Sequence, residues 1–428
     1  MKHNILVFPC GSEIGLEIYR SLNWSTHFNV IGGSSVDDHG KFVFKQYIGD
    51  LPFVDESNFI SRLNEVVKSN NIEFIFPAHD SVLLKLAQAV AENKLSCQLV
   101  APHVTTCEIT RSKLKTYKLF HDLIPTPKIY MNVQAIHPQD LPIFLKPEIG
   151  QGSKGTHIAR TLEDIEYYTQ NDPTLLLLEY LPGKEYTVDC FTNKDGQLLF
   201  CEGRERRRIQ NGISVCSEHI KDSRFQKLAK KINKKLKLRG VWFFQVKENA
   251  ESQLVLLEIA PRVAGTMGLT RCRGVNLALL TLFDAMGQDV NIFENSYNLV
   301  IDRALESTYT HDIQYDNVYL DLDDLLIFDG RVNPQVMAFV FQCVNKGITL
   351  HLLTKHKKNL EQTLKVHKLL GIFDEVICVK SKEEKYLSIT ERNSIFIDDS
   401  FAERKKVYEA CDIPVFDTHM IESLIEKF

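Results

Sequence analysis

The sequence has no CxxC pair, no long apolar run and no large excess of one charge, and each absence excludes a class of protein. Its ten cysteines are scattered, which argues against a zinc site or a disulfide framework and favours reduced thiols. No run approaches the roughly 18 apolar residues of a membrane helix, and the first residues form a strand-like run instead of a signal peptide. We therefore predict a cytoplasmic protein without a membrane segment.

The charge balance gives little reason to expect a polyanionic partner. A net charge of −4 provides no attraction to nucleic acid or to a membrane surface. Hydrophobic residues make up 44% and charged residues 25%, as in an ordinary globular chain. A length of 428 residues predicts two or three domains, each with a core of its own.

The amino-terminal segment lacks the GxGxxG pattern of dinucleotide-binding folds. Pro9, Gly11 and Ile14 occupy its three glycine positions, so we do not expect NAD to bind there. Short apolar strands nevertheless alternate with helical patterns over the first hundred residues. This alternation predicts a small, parallel, Rossmann-like α/β domain over residues 1–104.

Two changes in sequence pattern divide the rest of the chain. A basic helix around Lys113 and Lys115 leads into β-rich sequence that extends to about Arg262, which predicts a second domain over residues 105–310. Strand and helix patterns alternate again from Val318 onward, which predicts a third domain over residues 311–428. The expected fold class is a multidomain protein of α/β and α+β type.

A glycine-rich loop follows a predicted strand that carries Lys146. The loop contains Gly150, Gly152, Ser153 and Gly155, and it leads into a second strand instead of a helix. A loop of this kind can cover nucleotide phosphates with its backbone N–H groups. A plain hairpin turn is the alternative explanation.

A second motif offers contacts for the rest of a nucleotide. The strand over residues 175–179 ends in Glu179, Tyr180 and Leu181, whose backbone groups can bind an adenine edge. Glu185 lies just beyond, where a carboxylate can accept hydrogen bonds from ribose hydroxyls. The alternative is a surface glutamate in a turn.

Two further strands carry candidate ligands for a magnesium ion. Residues 240–246 and 254–259 are predicted to pair as antiparallel neighbours, so that Gln245 and Glu258 point into one cleft. Their oxygen atoms suit Mg²⁺. Arg262 follows and could stabilise a phosphoryl group during transfer.

These motifs, in this order, resemble the ATP-grasp family, in particular the carbamoyl-phosphate-synthase-like ligases, over roughly residues 1–300. The resemblance implies a pre-ATP-grasp domain, ATP and Mg²⁺ as cofactors, and ligation of a carboxylate to an amine through an acyl phosphate. It implies that Lys113 and Lys146 hold phosphates, and it is compatible with a homodimer. Arg204, Arg206 and Arg208 resemble an arginine cluster beside the acceptor, although a solvated basic loop is the alternative. The family's metal-binding asparagine is replaced by Ala260, so catalysis could be weakened while nucleotide binding is kept.

The carboxy-terminal segment carries acids at the ends of predicted strands. Asp321 and Asp323 end the strand at residues 318–322, where positions i and i+2 share a face, and Asp398 and Asp399 follow a later strand. A carboxylate nucleophile needs a second acid, a cation and a metal nearby. The additional candidates are Thr354 for phosphate and Lys385 for charge balance, with Lys380 and Lys382 as competitors.

This order of motifs resembles the haloacid-dehalogenase-like (HAD) phosphatases over about residues 315–428. The resemblance implies that Asp321 is the nucleophile and that Asp323 is the general acid. It also implies that Asp321, Asp323, Asp398 and Asp399 are magnesium ligands. The intervals between the motifs leave no room for a large cap domain, so a capless HAD-like domain is expected. Leu325 stands where the family often has threonine.

We therefore predict a bifunctional enzyme in which an ATP-grasp ligase is fused to a phosphohydrolase that acts on a related phosphorylated metabolite. The expected partners are a small carboxylate and an amine, including amino acids. A nucleotide-binding or scaffolding protein with one inactive module is the main alternative. Phosphoryl transfer to an acceptor other than a carboxylate is a further one.

Overall fold

The computed structural model describes residues 2–150 and 152–426 and has mixed α/β architecture. The chain divides into two compact units, Met1–Leu305 and Glu306–Phe428. The first unit contains three sheets and the second contains one main sheet with a small hairpin. None of the helices in the described residues combines the length and apolar composition that crossing a membrane requires.

The first unit begins with a five-stranded parallel sheet in the order β3-β2-β1-β4-β5. Its apolar runs are buried on both faces, as expected of parallel strands covered by helices. The chain segments that follow β1 and β4 lead into helices at the same edge of the sheet. The elements are β1 His3–Phe8, α1 Glu13–Leu22, β2 Phe28–Gly33, β3 Gln46–Ile48, α2 Phe59–Ser69, β4 Ile72–Pro77, α3 Asp80–Ala91 and β5 Gln98–Leu99.

The basic helix predicted around residue 113 is in fact two helices, α4 Val104–Arg111 and α5 Lys113–Phe120. Ser112 separates them because its backbone is extended and its side chain accepts a hydrogen bond from the Lys115 N–H. Such an N-cap begins a new helix. The break turns Lys113 toward the glycine-rich loop, where its Nζ lies 3.2 Å from the Gly150 carbonyl oxygen.

A four-stranded antiparallel sheet in the order β6-β9-β7-β8 carries the glycine-rich loop. The loop joins β7 to β8, as the sequence predicted, so it is a connection between two strands. The sheet buries one apolar face against its helix. The elements are β6 Ile129–Tyr130, β7 Ile143–Pro147, β8 His157–Ala159, α6 Leu162–Asn171 and β9 Leu175–Glu179.

The third sheet of the first unit is a six-stranded antiparallel sheet in the order β14-β13-β10-β11-β12-β15. Its register aligns Glu258, Gln245, Thr187 and Arg204 in one row across four strands. Residues directly opposite each other in antiparallel strands point to the same face. The elements are β10 Glu185–Thr192, β11 Leu198–Gln210, β12 Ile213–Ile220, α7 Ser223–Lys235, β13 Gly240–Glu248, β14 Leu254–Ala260, α8 Gly268–Cys272, α9 Leu277–Ala285 and β15 Val300–Asp302.

One apolar core joins the amino-terminal sheet to the six-stranded sheet. Ile5 and Val7 of β1 belong to the same buried cluster as Phe191 of β10 and Val241 of β13. This packing fixes the segments that follow β1 and β4 relative to the row of polar residues on the larger sheet. The first unit therefore positions polar groups from distant parts of the chain around one cleft.

The second unit contains a five-stranded parallel sheet in the order β20-β19-β16-β21-β22. Its central strands are apolar and fully buried, and Leu325 is buried in the same core. The carboxyl ends of β16, β19 and β21 meet at one edge. The elements are β16 Asn317–Leu320, β17 Ile327–Phe328, β18 Arg331–Val332, α10 Pro334–Lys346, β19 Thr349–Thr354, α11 Leu360–Val366, β20 Glu375–Cys378, β21 Ser394–Ile397, α12 Phe401–Cys411 and β22 Val415–Phe416.

Candidate functional sites

The first unit contains a cavity of about 740 Å³. Its walls come from the glycine-rich loop, the hinge after β9, the polar row on the six-stranded sheet, and the segments after β1 and β4. A volume in this range is typical of small-molecule sites. The sequence candidates of this unit that line it are Lys113, Lys146, Gly150, Gly152, Ser153, Glu179, Tyr180, Leu181, Glu185, Arg204, Arg206, Gln245, Glu258 and Arg262.

Two lysines line the cavity near each other. Lys146 is 7% exposed, and its Nζ donates a hydrogen bond of 2.8 Å to the hydroxyl of Tyr117. Burial, together with the nearby charge of Lys113, lowers the pKa of Lys146 to about 7. Burial also lowers the pKa of Lys113. A bound anion would offset the desolvation of both ammonium groups.

The glycine-rich loop has the backbone conformation that its glycines allow. Gly152 and Gly155 have φ of 61° and 70°, and Ser153 has φ of 53°. The loop passes close to Gly212 in the turn between β11 and β12, where a Cβ atom would lie 2.2 Å from the Gly152 carbonyl. This contact leaves no space for a side chain between the loop and the turn. Gln151 lies outside the described residues.

The hinge after β9 and the start of β10 contribute the next wall. Glu179, Tyr180 and Leu181 line the cavity, and burial raises the pKa of the Glu179 carboxyl. Glu185 accepts a hydrogen bond from Arg206 and lies 3.9 Å from the Nζ of Lys247. The Glu185 carboxylate therefore faces the cavity between two cations.

Gln245 and Glu258 lie on the antiparallel neighbours β13 and β14, as the sequence predicted, and a register shift between Gln245 and Val246 brings the two residues opposite each other. The Gln245 amide oxygen accepts a hydrogen bond of 3.1 Å from Arg206. Ala260 ends β14 opposite Phe243 and contributes no side-chain oxygen. The pair therefore offers one carboxylate and one amide oxygen to a cation.

Arg262 lies in the cavity wall and forms a two-pronged ion pair with Asp80. Its Nε and Nη2 donate hydrogen bonds of 2.7 and 2.9 Å to the two carboxylate oxygens. Burial alone would raise the pKa of Asp80, but the Arg262 charge outweighs it and lowers that pKa. The sequence analysis did not single out Asp80, although its place directly after an apolar strand was a usable signal.

Substitution of Asp80 by alanine should leave Arg262 without its carboxylate and lower the free energy of unfolding of the first unit by about 3–5 kcal/mol. Removal of Arg207 should cost less than about 1 kcal/mol, because its ion pair with Glu218 is partly exposed. Urea titration followed by the fluorescence of the buried Trp242 measures both. A loss for the Asp80 variant no larger than that for the Arg207 variant would contradict the expectation.

The three candidates among the four arginines of β11 do not share one environment. Arg204 is 1% exposed and pairs with Asp189, whereas Arg206 pairs with Glu185. Arg208 is exposed and lies 2.7 Å from Asp302, and it is not among the cavity residues. The register of β11 and β12 shifts on either side of Arg208. A bulge of this kind rotates the following side chain away from the alternating pattern.

Arg303 and Glu13, which the sequence analysis did not single out, also line the cavity. Arg303 follows β15 and donates hydrogen bonds to the carbonyl oxygens of Gly265 and Ser214 at 2.8 and 2.7 Å. Glu13 begins α1, and its carboxylate is 3.4 Å from Arg303. No local sequence motif connects them, because they are 290 residues apart.

The second unit brings four of its sequence candidates together. The Nζ of Lys385 lies 2.9 Å from an oxygen of Asp321 and 2.7 Å from one of Asp398. Asp321, Asp398 and Asp399 each offer one carboxylate oxygen, all within 4.8 Å of one another. Burial and the charge of Asp321 raise the pKa of Asp398 to about 6. Such a set of hard oxygen atoms can hold a divalent cation.

The remaining candidates of this unit, Thr354 and Asp323, both contact His356. Thr354 ends β19 and is fully buried, and its hydroxyl accepts a hydrogen bond of 3.2 Å from the His356 N–H. β16 ends at Leu320, before both acids, so the strand-face argument does not apply to Asp321 and Asp323. The Asp323 carboxylate lies 2.9 Å from the His356 ring.

The competing lysines differ in their surroundings. Lys380 has an exposed side chain near Glu383, and Lys382 is also exposed, whereas Lys385 is buried. Of the three, Lys385 is the one held against the carboxylate cluster.

Comparison with known proteins agrees with this architecture. A profile of the family described as ATP-grasp in the biosynthetic pathway with Ter operon matches residues 171–304. A carbamoyl-phosphate synthase of Methanobrevibacter smithii is 23% identical over 285 residues, which are 61% of this chain and 77% of that protein.

Solved structures show the same likeness at low sequence identity. N5-carboxyaminoimidazole synthetase of Staphylococcus aureus, complexed with ADP, is similar with a TM-score of 0.59 and 15% identity over 71% of this chain and 83% of its own. The biotin carboxylase domain dimer of Hydrogenobacter thermophilus 2-oxoglutarate carboxylase, in complex with MgADP, ADP and bicarbonate, has a TM-score of 0.58 and 15% identity over 69% and 72%. The chain therefore contains the ATP-grasp fold found in carbamoyl-phosphate synthase and biotin carboxylase.

Proposed function

We propose that the first unit is an ATP- and Mg²⁺-dependent ligase that joins a carboxylate to an amine through an acyl phosphate. One observation carries the proposal: two desolvated lysines, Lys113 and Lys146, line the same cavity as the opposed pair Gln245 and Glu258. Lysines suit phosphate oxygens, and the opposed pair suits the cation that accompanies them. The ADP and MgADP in the similar solved structures support the same cofactors here.

In this proposal each wall of the cavity has a separate role. The backbone of Gly150, Gly152 and Ser153 covers the phosphates, and Lys113 and Lys146 bind them. Gly155 belongs to the same loop but does not line the cavity. The hinge at residues 179–181 binds the adenine edge, and Glu185 accepts hydrogen bonds from the ribose. Arg262 stabilises the phosphoryl group during its transfer.

The proposed reaction has two steps. A carboxylate oxygen of the acceptor attacks the γ-phosphorus of ATP, and the bond from that phosphorus to the bridging oxygen of ADP breaks. The amine then attacks the acyl carbon, loses a proton and displaces orthophosphate. The cavity walls hold the reactants in line and limit the access of water.

The residues present fit a magnesium ion with a small set of protein ligands. Glu258 and Gln245 would hold it, and Mg²⁺ commonly keeps several water molecules and phosphate oxygens as its other ligands. When bound, the ion neutralises phosphate charge. Gln245 would first have to exchange its hydrogen bond with Arg206. Ala260 leaves the set one oxygen ligand smaller than in the family that the sequence resembles.

An acceptor screen tests this function. The protein is incubated with MgATP, a panel of carboxylates and hydroxylamine, which traps an acyl phosphate as a hydroxamate. We expect ADP and hydroxamate to form together and only with certain carboxylates. Stabilisation by MgATP without ADP release on any carboxylate would favour a nucleotide-binding module. ADP release without hydroxamate would favour an acceptor that is not a carboxylate.

The altered pKa of Lys146 predicts that ATP binding takes up a proton. Phosphate charge should raise this pKa from about 7 in the empty cavity, so that above pH 7 binding converts a neutral amine into an ammonium group. At pH 8 we expect uptake of close to one proton, and the affinity for ATP should fall as pH rises further. Calorimetry in buffers of different ionisation enthalpy measures the uptake. An equal uptake by a Lys146→Met variant would contradict this assignment.

We also propose the finer division of the first unit. Residues 1–104 would be a Rossmann-like pre-ATP-grasp domain and residues 105–310 the ATP-grasp domain. The parallel order of β1 to β5 supports the first assignment, and the two antiparallel sheets on either side of the cavity support the second.

For the second unit we propose a HAD-type phosphohydrolase without a cap domain. The observation that favours it is the meeting of Asp321, Lys385, Asp398 and Asp399 at one edge of a parallel sheet. Asp321 would attack the phosphorus of a phosphate ester, and the ester oxygen would leave with a proton from Asp323. Water would then hydrolyse the aspartyl phosphate, which releases orthophosphate and restores the Asp321 carboxylate. Lys385 would balance charge, and Thr354 would bind a phosphate oxygen.

The alternative to both proposals is that one of the two modules binds its ligand without catalysing a reaction. Ala260 and Leu325 are the residues that raise this alternative, and Leu325 is used for packing in the core of its unit. If the two activities are coupled, the second unit should release orthophosphate from a phosphorylated molecule that is related to the ligation product. An Asp321→Asn variant that releases the same amount of orthophosphate from every phosphorylated ligation product would contradict such coupling.

A further inference from the structure

Three of the arginines that line the cavity lie on or beside strands β11 and β15 of the six-stranded sheet. Arg204 and Arg206 come from β11, and Arg303 comes from the segment after β15. Each guanidinium has a buried nitrogen for which the described residues offer no hydrogen-bond acceptor: Nη2 of Arg204, Nε of Arg206 and Nε of Arg303. A buried donor without an acceptor costs about 1–3 kcal/mol, so we expect these nitrogens to have an acceptor in the ligand-bound protein.

The other atoms of these arginines are held firmly in place. Arg204 pairs with Asp189, and its Nε donates a hydrogen bond of 2.9 Å to Thr266. Arg303 is fixed by the carbonyl oxygens of Ser214 and Gly265. The guanidinium groups are therefore prearranged before any ligand binds, which reduces the entropic cost of binding.

The charges of this group favour an anion. Burial lowers the pKa of Arg204, the carboxylate of Asp189 opposes that effect, and the charges of Arg206 and Arg303 lower the pKa further. Asp189 is not among the residues that line the cavity. An oxyanion placed between Arg204 and Arg303 would relieve the repulsion and supply the missing acceptors.

The register of the sheet gives the distance to the proposed phosphate end. Arg204 is two strands from Gln245 and three strands from Glu258 in the same row. Since neighbouring strands are about 4.8 Å apart, the backbone of Arg204 lies roughly 10–14 Å across the sheet from that pair. The Arg206 side chain extends to Gln245, whereas the Arg204 guanidinium is held by Asp189 and Thr266 and does not. A small carboxylate bound to Arg204 would therefore lie away from Gln245 and Glu258.

We propose that Arg204 and Arg303 form an oxyanion subsite for a second acidic group of the acceptor, remote from the carboxylate that is phosphorylated. The substrate class is thus an elongated molecule with an acid at each end, whose far group is a carboxylate or a phosphate. This proposal rests on the proposed ligase function, since that function defines the near end of the acceptor. Arg303 positions the far end and takes no part in the chemistry.

Calorimetric titration with chain-matched acids tests the subsite without turnover. The probes are dicarboxylates from succinate to suberate, monocarboxylates of the same carbon number, and the corresponding ω-phosphonocarboxylates, each with and without saturating MgADP. We expect the wild-type protein to bind at least one dianionic probe ten or more times as tightly as its monocarboxylate. The dicarboxylate and phosphonate arms identify which acid the subsite prefers.

Matched variants separate this subsite from a structural role. Arg303→Gln should abolish the preference, Arg303→Lys should retain part of it, and Arg207→Gln should retain all of it because that side chain is not among the cavity residues. Far-UV circular dichroism and the fluorescence of Trp242 check that each variant is folded. No dianion preference in the wild-type protein, or a preference that survives Arg303→Gln, would overturn the proposal.

Failure of the subsite proposal and failure of the ligase function give different experimental results. If MgATP neither stabilises the protein nor yields ADP while the dianion preference is present, the function is wrong and the subsite stands. If hydroxamate forms from carboxylates but chain-matched monoacids bind as tightly as diacids, the function stands and the subsite is wrong.

Discussion

Replacement of Lys146 by methionine is expected to reduce carboxylate-dependent ADP release at least about 100-fold, the loss typical of a charged group that stabilises a transferred phosphoryl group. Methionine keeps an unbranched side chain of similar size but removes the charge that the phosphates would need. Lys146 is nearly fully buried on β7 and faces the cavity beside Lys113. The measurement is the initial rate of ADP formation with an acceptor from the screen.

Lys118→Met is the matched control, because this lysine is exposed on α5 and does not line the cavity. Its rate should stay within twofold of the wild type. The Lys146 variant should also lose stabilisation by MgATP, since the lysine binds in the ground state as well. A Lys146 variant with normal ADP release would remove the main support for the phosphate site.

Replacement of Asp321 by asparagine should reduce phosphate release from p-nitrophenyl phosphate at least about 1,000-fold, as expected when a covalent nucleophile is removed. Asparagine has nearly the same shape but cannot form an aspartyl phosphate by the same route. The substitution also removes one carboxylate from the cluster with Asp398 and Asp399. Phosphate release by the whole chain, with and without Mg²⁺, is the measurement.

Asp329→Asn provides the control, because Asp329 is exposed in the turn between β17 and β18 and is not part of that cluster. Wild-type and control proteins should lose activity when Mg²⁺ is removed and regain it when Mg²⁺ is restored. Equal phosphate release by the Asp321 and Asp329 variants would show that the carboxylate cluster does not perform this hydrolysis.

Local sequence patterns predicted the parts of the cavity that depend on strand pairing. The antiparallel pairing of the two strands that carry Gln245 and Glu258 was predicted, but the direct opposition of these two residues depends on a register shift between Gln245 and Val246 that alternation does not indicate. The glycine-rich loop could be assigned between two strands because β-type alternation resumes after it. Period and turn residues determine such features over short distances.

Features that depend on a single backbone irregularity could not be predicted. Strict alternation would have put Arg208 beside Arg206, but the bulge in β11 directs it to Asp302 instead. Similarly, β16 ends before Asp321, so the shared-face argument for Asp323 did not apply. One extra residue or an early strand end changes the direction of every following side chain.

Contacts between distant segments also could not be predicted from sequence patterns. Asp80 meets Arg262 across 182 residues, and Glu13 meets Arg303 across 290. Both meetings follow from the packing of the amino-terminal sheet on the six-stranded sheet. These two ion pairs can be identified only when that tertiary contact is known, because the partners in each pair are far apart in the sequence.

The most direct test of the central claim follows an oxygen atom from the carboxylate to phosphate. The acceptor is labelled with ¹⁸O in its carboxylate and incubated with MgATP and hydroxylamine, and the orthophosphate is analysed by mass spectrometry. The Asp321→Asn variant is used so that the second unit contributes no phosphate. Ligation through an acyl phosphate predicts one ¹⁸O atom in each orthophosphate formed. Orthophosphate without label would mean that water, and not the carboxylate, receives the phosphoryl group, which would contradict the proposed function.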